Sequence, residues 1–128
     1  MSYKILAIDD EDELTQMVKS RLEASHYEVI TASDGVEGMV KARDEKPDLI
    51  ILDVVMPNLD GYTFIRELKQ DREIKSIPII VLTSRDHLQD LLALEGIDHD
   101  HYLLKPFEGE VLLEKISKIL NGNGQKNK

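Results

Sequence analysis

At 128 residues, 41% of them hydrophobic, the chain has the size and composition of one folded domain with a substantial core. It has no cysteine, which excludes a disulfide framework and thiolate-bound metals and fits a reducing compartment. Its 25 acidic residues outnumber 16 basic ones for a net charge of −9, which argues against direct nucleic-acid binding through clustered Lys and Arg.

The first strand is Ile5-Leu6-Ala7-Ile8, running into Asp9-Asp10. A helix over Glu13 to Ser25 carries Leu14, Met17, Val18 and Leu22 at helical spacing. Val29-Ile30-Thr31-Ala32 is a short second strand. The Ser33-Asp34-Gly35 turn leads into a helix with Val36, Met39 and Val40 on one face, closed by Lys46-Pro47-Asp48. The third strand, Leu49-Ile50-Ile51-Leu52, runs into Asp53. A loop from Val54 to Gly61 with Pro57 and Asn58 follows, then a helix from about Tyr62 to Gln70 presenting Phe64, Ile65 and Leu68. Pro78 opens the fourth strand, Ile79-Ile80-Val81-Leu82, which runs into Thr83. The next helix, roughly Asp86 to Leu94, carries Leu88, Leu91 and Leu92. The fifth strand, Tyr102-Leu103-Leu104, meets Lys105-Pro106, and the last helix begins near Glu108 with Leu112, Leu113, Ile116, Ile119 and Leu120. The domain is expected over 1–121, with 122–128 a polar tail, either a frayed end or the start of a linker. The apolar runs are too short to span a bilayer, and Met1-Ser2-Tyr3-Lys4 lacks the apolar stretch of a secretory signal. A cytoplasmic location without membrane contact is expected.

Strands rich in Ile, Leu and Val that alternate with helices specify a parallel sheet buried on both faces. The expected fold is α/β: a (βα)5 flavodoxin-like, doubly wound sheet of five parallel strands in the order 2-1-3-4-5, with helices on both faces. Ligands in such sheets bind beyond the carboxyl ends of the strands, where the strand order reverses. That point lies between the first and third strands, which end in Asp9-Asp10 and Asp53. Topology and residue chemistry select the same edge.

A lone acid at a strand end is more often a solvated cap than a ligand. Asp9, Asp10 and Asp53 converge, and like charges brought together need a compensating cation. Their hard oxygen donors suit Mg²⁺, which keeps several waters and completes its shell with a phosphoryl oxygen. Lys105 supplies a fixed cation able to pair with Asp53 at rest and with a phosphoryl oxygen later, where an ordinary lysine is simply solvated. Thr83 offers a hydroxyl to the same group. Tyr102 also reads plainly as a half-buried strand aromatic with its hydroxyl in water. His26, His87, His99 and His101 show no metal-ligand spacing; the alternation of His99 and His101 with Asp98 and Asp100 reads first as a solvated loop, second as a pH-sensitive or metal-binding one.

These residues together resemble the receiver domain of two-component response regulators, the CheY-like superfamily. The resemblance rests on Asp9-Asp10-Glu11, on Asp53 with Met56-Pro57 and Asp60-Gly61, on Thr83-Ser84, and on Tyr102 with Lys105-Pro106-Phe107. It covers about residues 3 to 121, in order and at family spacing. It implies that Asp53 takes a phosphoryl group from a phosphohistidine of a sensor histidine kinase or histidine phosphotransfer protein. It implies that Asp10 binds Mg²⁺ directly, Asp9 directly or through water, and Val55 through its backbone carbonyl. Thr83 and Lys105 would bind the phosphoryl oxygens, with Thr83 moving toward them and Tyr102 turning inward behind it. The surface of the fourth helix, fifth strand and fifth helix would then report to a downstream effector protein or domain, or to a second copy in a phosphorylation-dependent homodimer. The resemblance further implies a signalling domain with self-catalysed phosphoryl transfer and autodephosphorylation rather than a turnover enzyme. A phosphatase passing through an aspartyl-phosphate is the rival, but Asp53-Val54-Val55 lacks the second acid that dehalogenase-like phosphatases use. A receiver-like domain that is never phosphorylated is a third reading, opposed by the intact acid, threonine and lysine set.

Two departures from the family pattern stand out. Before the fifth strand the chain reads Ile97-Asp98-His99-Asp100-His101-Tyr102, with the glycine earlier at Gly96, which predicts a shorter fourth helix and a looser loop. Beside the site, Val55 cannot hold an attacking water and Arg85 is cationic, which predicts a long-lived phosphoaspartate.

Overall fold

The structure, a computed structural model, describes residues 2–54, 61–94 and 96–124. Strands β1 (Lys4–Ile8), β2 (Glu28–Ala32), β3 (Leu49–Asp53), β4 (Ile79–Thr83) and β5 (Tyr102–Leu104) pair in parallel in the order β2-β1-β3-β4-β5. Helices α1 (Asp12–Ala24), α2 (Gly35–Glu45), α3 (Gly61–Gln70), α4 (Arg85–Leu92) and α5 (Gly109–Gly124) connect and follow them, with a 3-10 turn at His99–His101 before β5. This is the doubly wound fold expected from the sequence.

The strands divide their residues between two cores because successive side chains point to opposite faces. Leu6, Ile8, Ile50, Leu52, Ile79 and Val81 face one core with Met39 and Ala42 of α2, Phe64, Ile65 and Leu68 of α3, and Leu91 of α4. Ile5, Ala7, Leu49, Ile51, Ile80 and Leu82 face the other, with Val18 and Leu22 of α1 and Leu112, Ile116, Ile119 and Leu120 of α5. Every residue of β3 and β4 is buried, as a central parallel strand requires. No helix among the described residues is long and apolar enough to cross a membrane.

Register sets the site. Ile8 pairs with Leu52, so the next residue, Asp9, falls beside Asp53. Asp53 pairs with Leu82, one residue before Thr83. Thr83 pairs with Leu104, and its carbonyl accepts a 2.7 Å hydrogen bond from the Lys105 amide.

The helices depart from the predicted pattern in three places. In α2 the inward face is Gly35, Gly38, Met39 and Ala42, whereas Val36 and Val40 are 55% and 50% exposed. The helix lies close against the sheet: a Cβ on Gly38 would sit 2.5 Å from Ile8 Cδ1. In α4, Leu91 is buried but Leu92 is 44% exposed, and the helix ends there rather than at Leu94. Met17 of α1 is 46% exposed while Thr15, Val18 and Leu22 turn inward. The last helix, α5, runs over Gly109–Gly124.

Candidate functional site

Asp9 follows β1, its amide donating to the Ala32 carbonyl at 3.1 Å. Its Oδ1 accepts the Glu11 amide at 2.9 Å, while Oδ2 is buried with no hydrogen-bond partner among the described residues. Burial pushes the Asp9 carboxyl up to about 7; the charges of Asp53 and Glu11 add to this, and the Glu11 amide and Lys105 oppose it. A buried carboxylate oxygen without a donor is costly unless something positive reaches it. One oxygen each from Asp9, Asp10 and Asp53 lie within 4.8 Å of one another. Asp10 is exposed and Asp9 and Asp53 are buried, so the trio opens to solvent on one side. An all-oxygen donor set with an orphaned buried oxygen fits a small hard dication.

Opposite the acids, the Lys105 ammonium donates to Asp53 Oδ2 at 3.1 Å. The Asp53 side chain is 8% exposed and that of Lys105 31%, so the pair is anchored inside and reachable from outside. The Lys105–Pro106 peptide bond is cis. Thr83 is buried, its hydroxyl donating to the Ser84 carbonyl at 3.4 Å, a long and weak bond. Asp10, Asp53, Thr83, Ser84, His87 and Lys105 share the walls of a cleft of about 330 Å³. Tyr102 is half-buried against the core that holds Val81 and Leu91, and meets His99 edge-on with ring centroids 6.1 Å apart.

The structure thus brings Asp9, Asp10, Asp53, Thr83 and Lys105 together at one sheet edge. Val55, Met56-Pro57 and Asp60 lie outside the described residues. Gly61, at the start of α3, donates its amide to the Val54 carbonyl at 2.9 Å, and a Cβ there would lie 2.6 Å from Val54 Cα. Sequence spacing gave no reason to place His87 in the cleft. The available signal was its position three residues after Ser84, the N-cap of α4, which sets the two side by side on one helix face.

The segment before β5 is tied down rather than loose. Asp98 Oδ1 accepts the Asp100 amide at 3.1 Å and lies 2.6 Å from His101 Nδ1, which carries the proton because a carboxylate only accepts. The Lys115 ammonium donates to the His99 carbonyl and that of Lys118 to Asp100 Oδ1, each at 3.0 Å. His101 holds the Asp98 carboxyl below its ordinary range, and Lys118 does the same for Asp100. The alternating His and Asp residues therefore form a turn pinned to α5.

The family model for the response regulator receiver domain matches residues 5–117. The chain is 43% identical over 121 residues to the alkaline phosphatase synthesis transcriptional regulatory protein PhoP of Bacillus subtilis (strain 168), covering 94% of this chain and 49% of that protein. It therefore spans about half the length of that regulator. The chemotaxis response regulator CheY4 of Vibrio cholerae superposes with a TM-score of 0.85 at 34% identity, over 94% of this chain and 100% of that one. The receiver domain of the sensor histidine kinase PA1611 of Pseudomonas aeruginosa PAO1, solved with a magnesium ion coordinated in its active site cleft, superposes with a TM-score of 0.85 at 26% identity, over 94% of this chain and 99% of that one.

Proposed function

This chain belongs to the response regulator receiver domain family, the phosphorylation-activated switches of two-component signalling, and on that premise we propose how its own residues run the switch. Asp53 is the phosphoryl acceptor. Its carboxylate oxygen attacks the phosphorus of a phosphohistidine on a sensor histidine kinase or phosphotransfer protein, the P–N bond breaks, and the histidine leaves. Asp9, Asp10 and Asp53, with the Val55 carbonyl, are the residues that would hold Mg²⁺. When bound, Mg²⁺ neutralises charge on the acids and the transferring phosphoryl group.

Lys105 moves from its partner oxygen on Asp53 to a phosphoryl oxygen, which its single flexible stem allows. Thr83 exchanges a weak bond to the Ser84 carbonyl for a stronger one to the phosphoryl group. Its inward shift frees space for Tyr102, at the edge of the same core, and the α4, β5 and α5 surface changes for a downstream effector or a second copy of the chain. The domain is a signalling module with slow self-catalysed dephosphorylation, not a turnover enzyme, and works in the cytoplasm without membrane or nucleic-acid contact. Exposed Arg85 at the start of α4 supports a long-lived phosphoaspartate.

The observation that carries this reading is the orphaned Oδ2 of Asp9 beside the Asp53–Lys105 pair. The test is incubation with acetyl phosphate and Mg²⁺, followed by intact mass. One added phosphoryl group on the wild type and none on Asp53→Asn is the expected result; a turnover of small phosphate esters, or no phosphoryl uptake, overturns it.

A further inference from the structure

Besides the residues assigned above, Glu11, Val54, Ser84 and His87 line the cleft. His87 lines it beside Thr83, Ser84 and Lys105 and is half-buried. Its main chain is held at both ends: the amide donates to the Ser84 carbonyl at 3.1 Å, and the carbonyl accepts the Tyr62 hydroxyl of α3 at 3.2 Å. The start of α4 is thereby tied to α3, and the backbone that carries the imidazole is held at the cleft. The ring nitrogens have no hydrogen-bond partner among the described residues.

The ligand expected on Asp53 brings three strong acceptor oxygens. Mg²⁺, the Thr83 hydroxyl and the Lys105 ammonium are already assigned to these oxygens, but each oxygen can accept more than one hydrogen bond and has room for a further donor. An imidazole carries an N–H in both its neutral and its charged form, so it can donate at any working pH. We propose that His87 is a phosphoryl-binding residue, its ring N–H donating to a phosphoryl oxygen on Asp53 alongside Thr83 and Lys105. The proposal rests on Asp53 being the acceptor. Its consequence is a tighter phosphorylated state, because a hydrogen bond to a charged oxygen is among the stronger ones.

The probe is beryllofluoride with Mg²⁺, which mimics the phosphoryl group, titrated into wild type, His87→Phe and His87→Gln. Phenylalanine keeps a ring of similar bulk without an N–H; glutamine restores an N–H donor. Loss of one hydrogen bond to a charged group predicts about tenfold weaker beryllofluoride binding for His87→Phe. His87→Gln should stay near wild type, and Mg²⁺ affinity measured alone should be the same in all three. Thermal unfolding checks that each variant folds; if His87→Phe does not, His87→Ala takes its place in the comparison. Wild-type affinity in a folded variant lacking the N–H overturns the role of His87 and leaves Asp53 as the acceptor. Failure of the wild type itself to bind beryllofluoride overturns both.

Discussion

The Lys105 ammonium lies 3.1 Å from Asp53 Oδ2, so in the resting protein the cation serves the very carboxylate that is to receive the phosphoryl group. Lys105 thus both lowers the cost of burying acids and competes with any dication for their charge. Replacing it with methionine separates the two effects. Mg²⁺ affinity of Lys105→Met should be unchanged or higher, because a competing positive charge is gone. Phosphorylation by acetyl phosphate should slow on the order of 10²-fold, as removal of one preorganised charge-stabilising donor does elsewhere. Mg²⁺ titration and initial phosphorylation rates measure the two separately.

Asp9 makes stability depend on pH in an unusual direction. Its folded pKa of about 7 is above the ordinary value of 3.8, chiefly through burial. The folded state therefore binds the proton more tightly than the unfolded one, and stability falls as pH rises from about 4 to about 7, then levels. Glu37, Asp71, Asp98 and Asp100 have lowered pKa values and act oppositely, losing their contribution as pH drops through the carboxylate range, so the Asp9 effect is read between pH 5 and 7. Each pH unit in that window is worth at most on the order of 1 kcal/mol. With a chelator present, urea unfolding should show declining stability from pH 5 to 7 in the wild type and a flat profile in Asp9→Asn. Added Mg²⁺ should remove the wild-type decline, since a dication favours the ionised carboxylate. A flat wild-type profile under chelation rules this account out.

The sheet and its edge were legible because both rest on strong, short-range signals. Buried runs such as Ile79-Ile80-Val81-Leu82 admit few alternatives, and the residues that end the strands inherit their place from the register. The second helix was less legible. Val36 and Val40 outweigh Gly35 and Gly38 on any hydrophobic scale, yet the glycines face the core because they let α2 approach β1. Hydrophobic periodicity measures apolar size, whereas close helix–sheet contact selects small side chains. The segment before β5 misled for another reason. The His99 carbonyl and Asp100 are held by Lys115 and Lys118 of α5, distant partners that local composition cannot reveal.

Gly61 is fixed by space rather than by backbone freedom. An added Cβ would meet Val54 at Cα, carbonyl oxygen and carbonyl carbon, between 2.6 and 3.0 Å away, and none of these backbone atoms can rotate aside. Gly61→Ala should cost about 1–3 kcal/mol of unfolding free energy, the usual price of overpacking. Val54 directly follows Asp53, so the displacement should also reduce phosphorylation more than stability alone explains. Comparing Gly61→Ala with Phe64→Ala tests this. Phe64 is fully buried in the core on the α3 side, and its truncation should cost about 3–5 kcal/mol while sparing the site's geometry in the folded fraction. Equal phosphorylation rates per folded molecule would count against the Gly61 argument.

Thr83 separates phosphorylation from its readout. It is 1% exposed, and its hydroxyl makes only a 3.4 Å bond to the Ser84 carbonyl, so Thr83→Ala gives up little native hydrogen bonding. The acceptor, the acids and Lys105 remain, and phosphoryl uptake on Asp53 should persist at a reduced rate. What should disappear is the response of Tyr102. Its ring meets His99 edge-on at a centroid distance of 6.1 Å, so inward rotation on phosphorylation would remove the aromatic ring current felt by His99. Side-chain NMR of His99 in the presence of beryllofluoride and Mg²⁺ provides the readout. The wild type should show a shift on adding the ligand, and Thr83→Ser, which keeps the hydroxyl, should show most of it. Thr83→Ala should bind the ligand with His99 unmoved. A full His99 response in Thr83→Ala would mean that Tyr102 moves without Thr83, and the coupling would have to run through α4 instead.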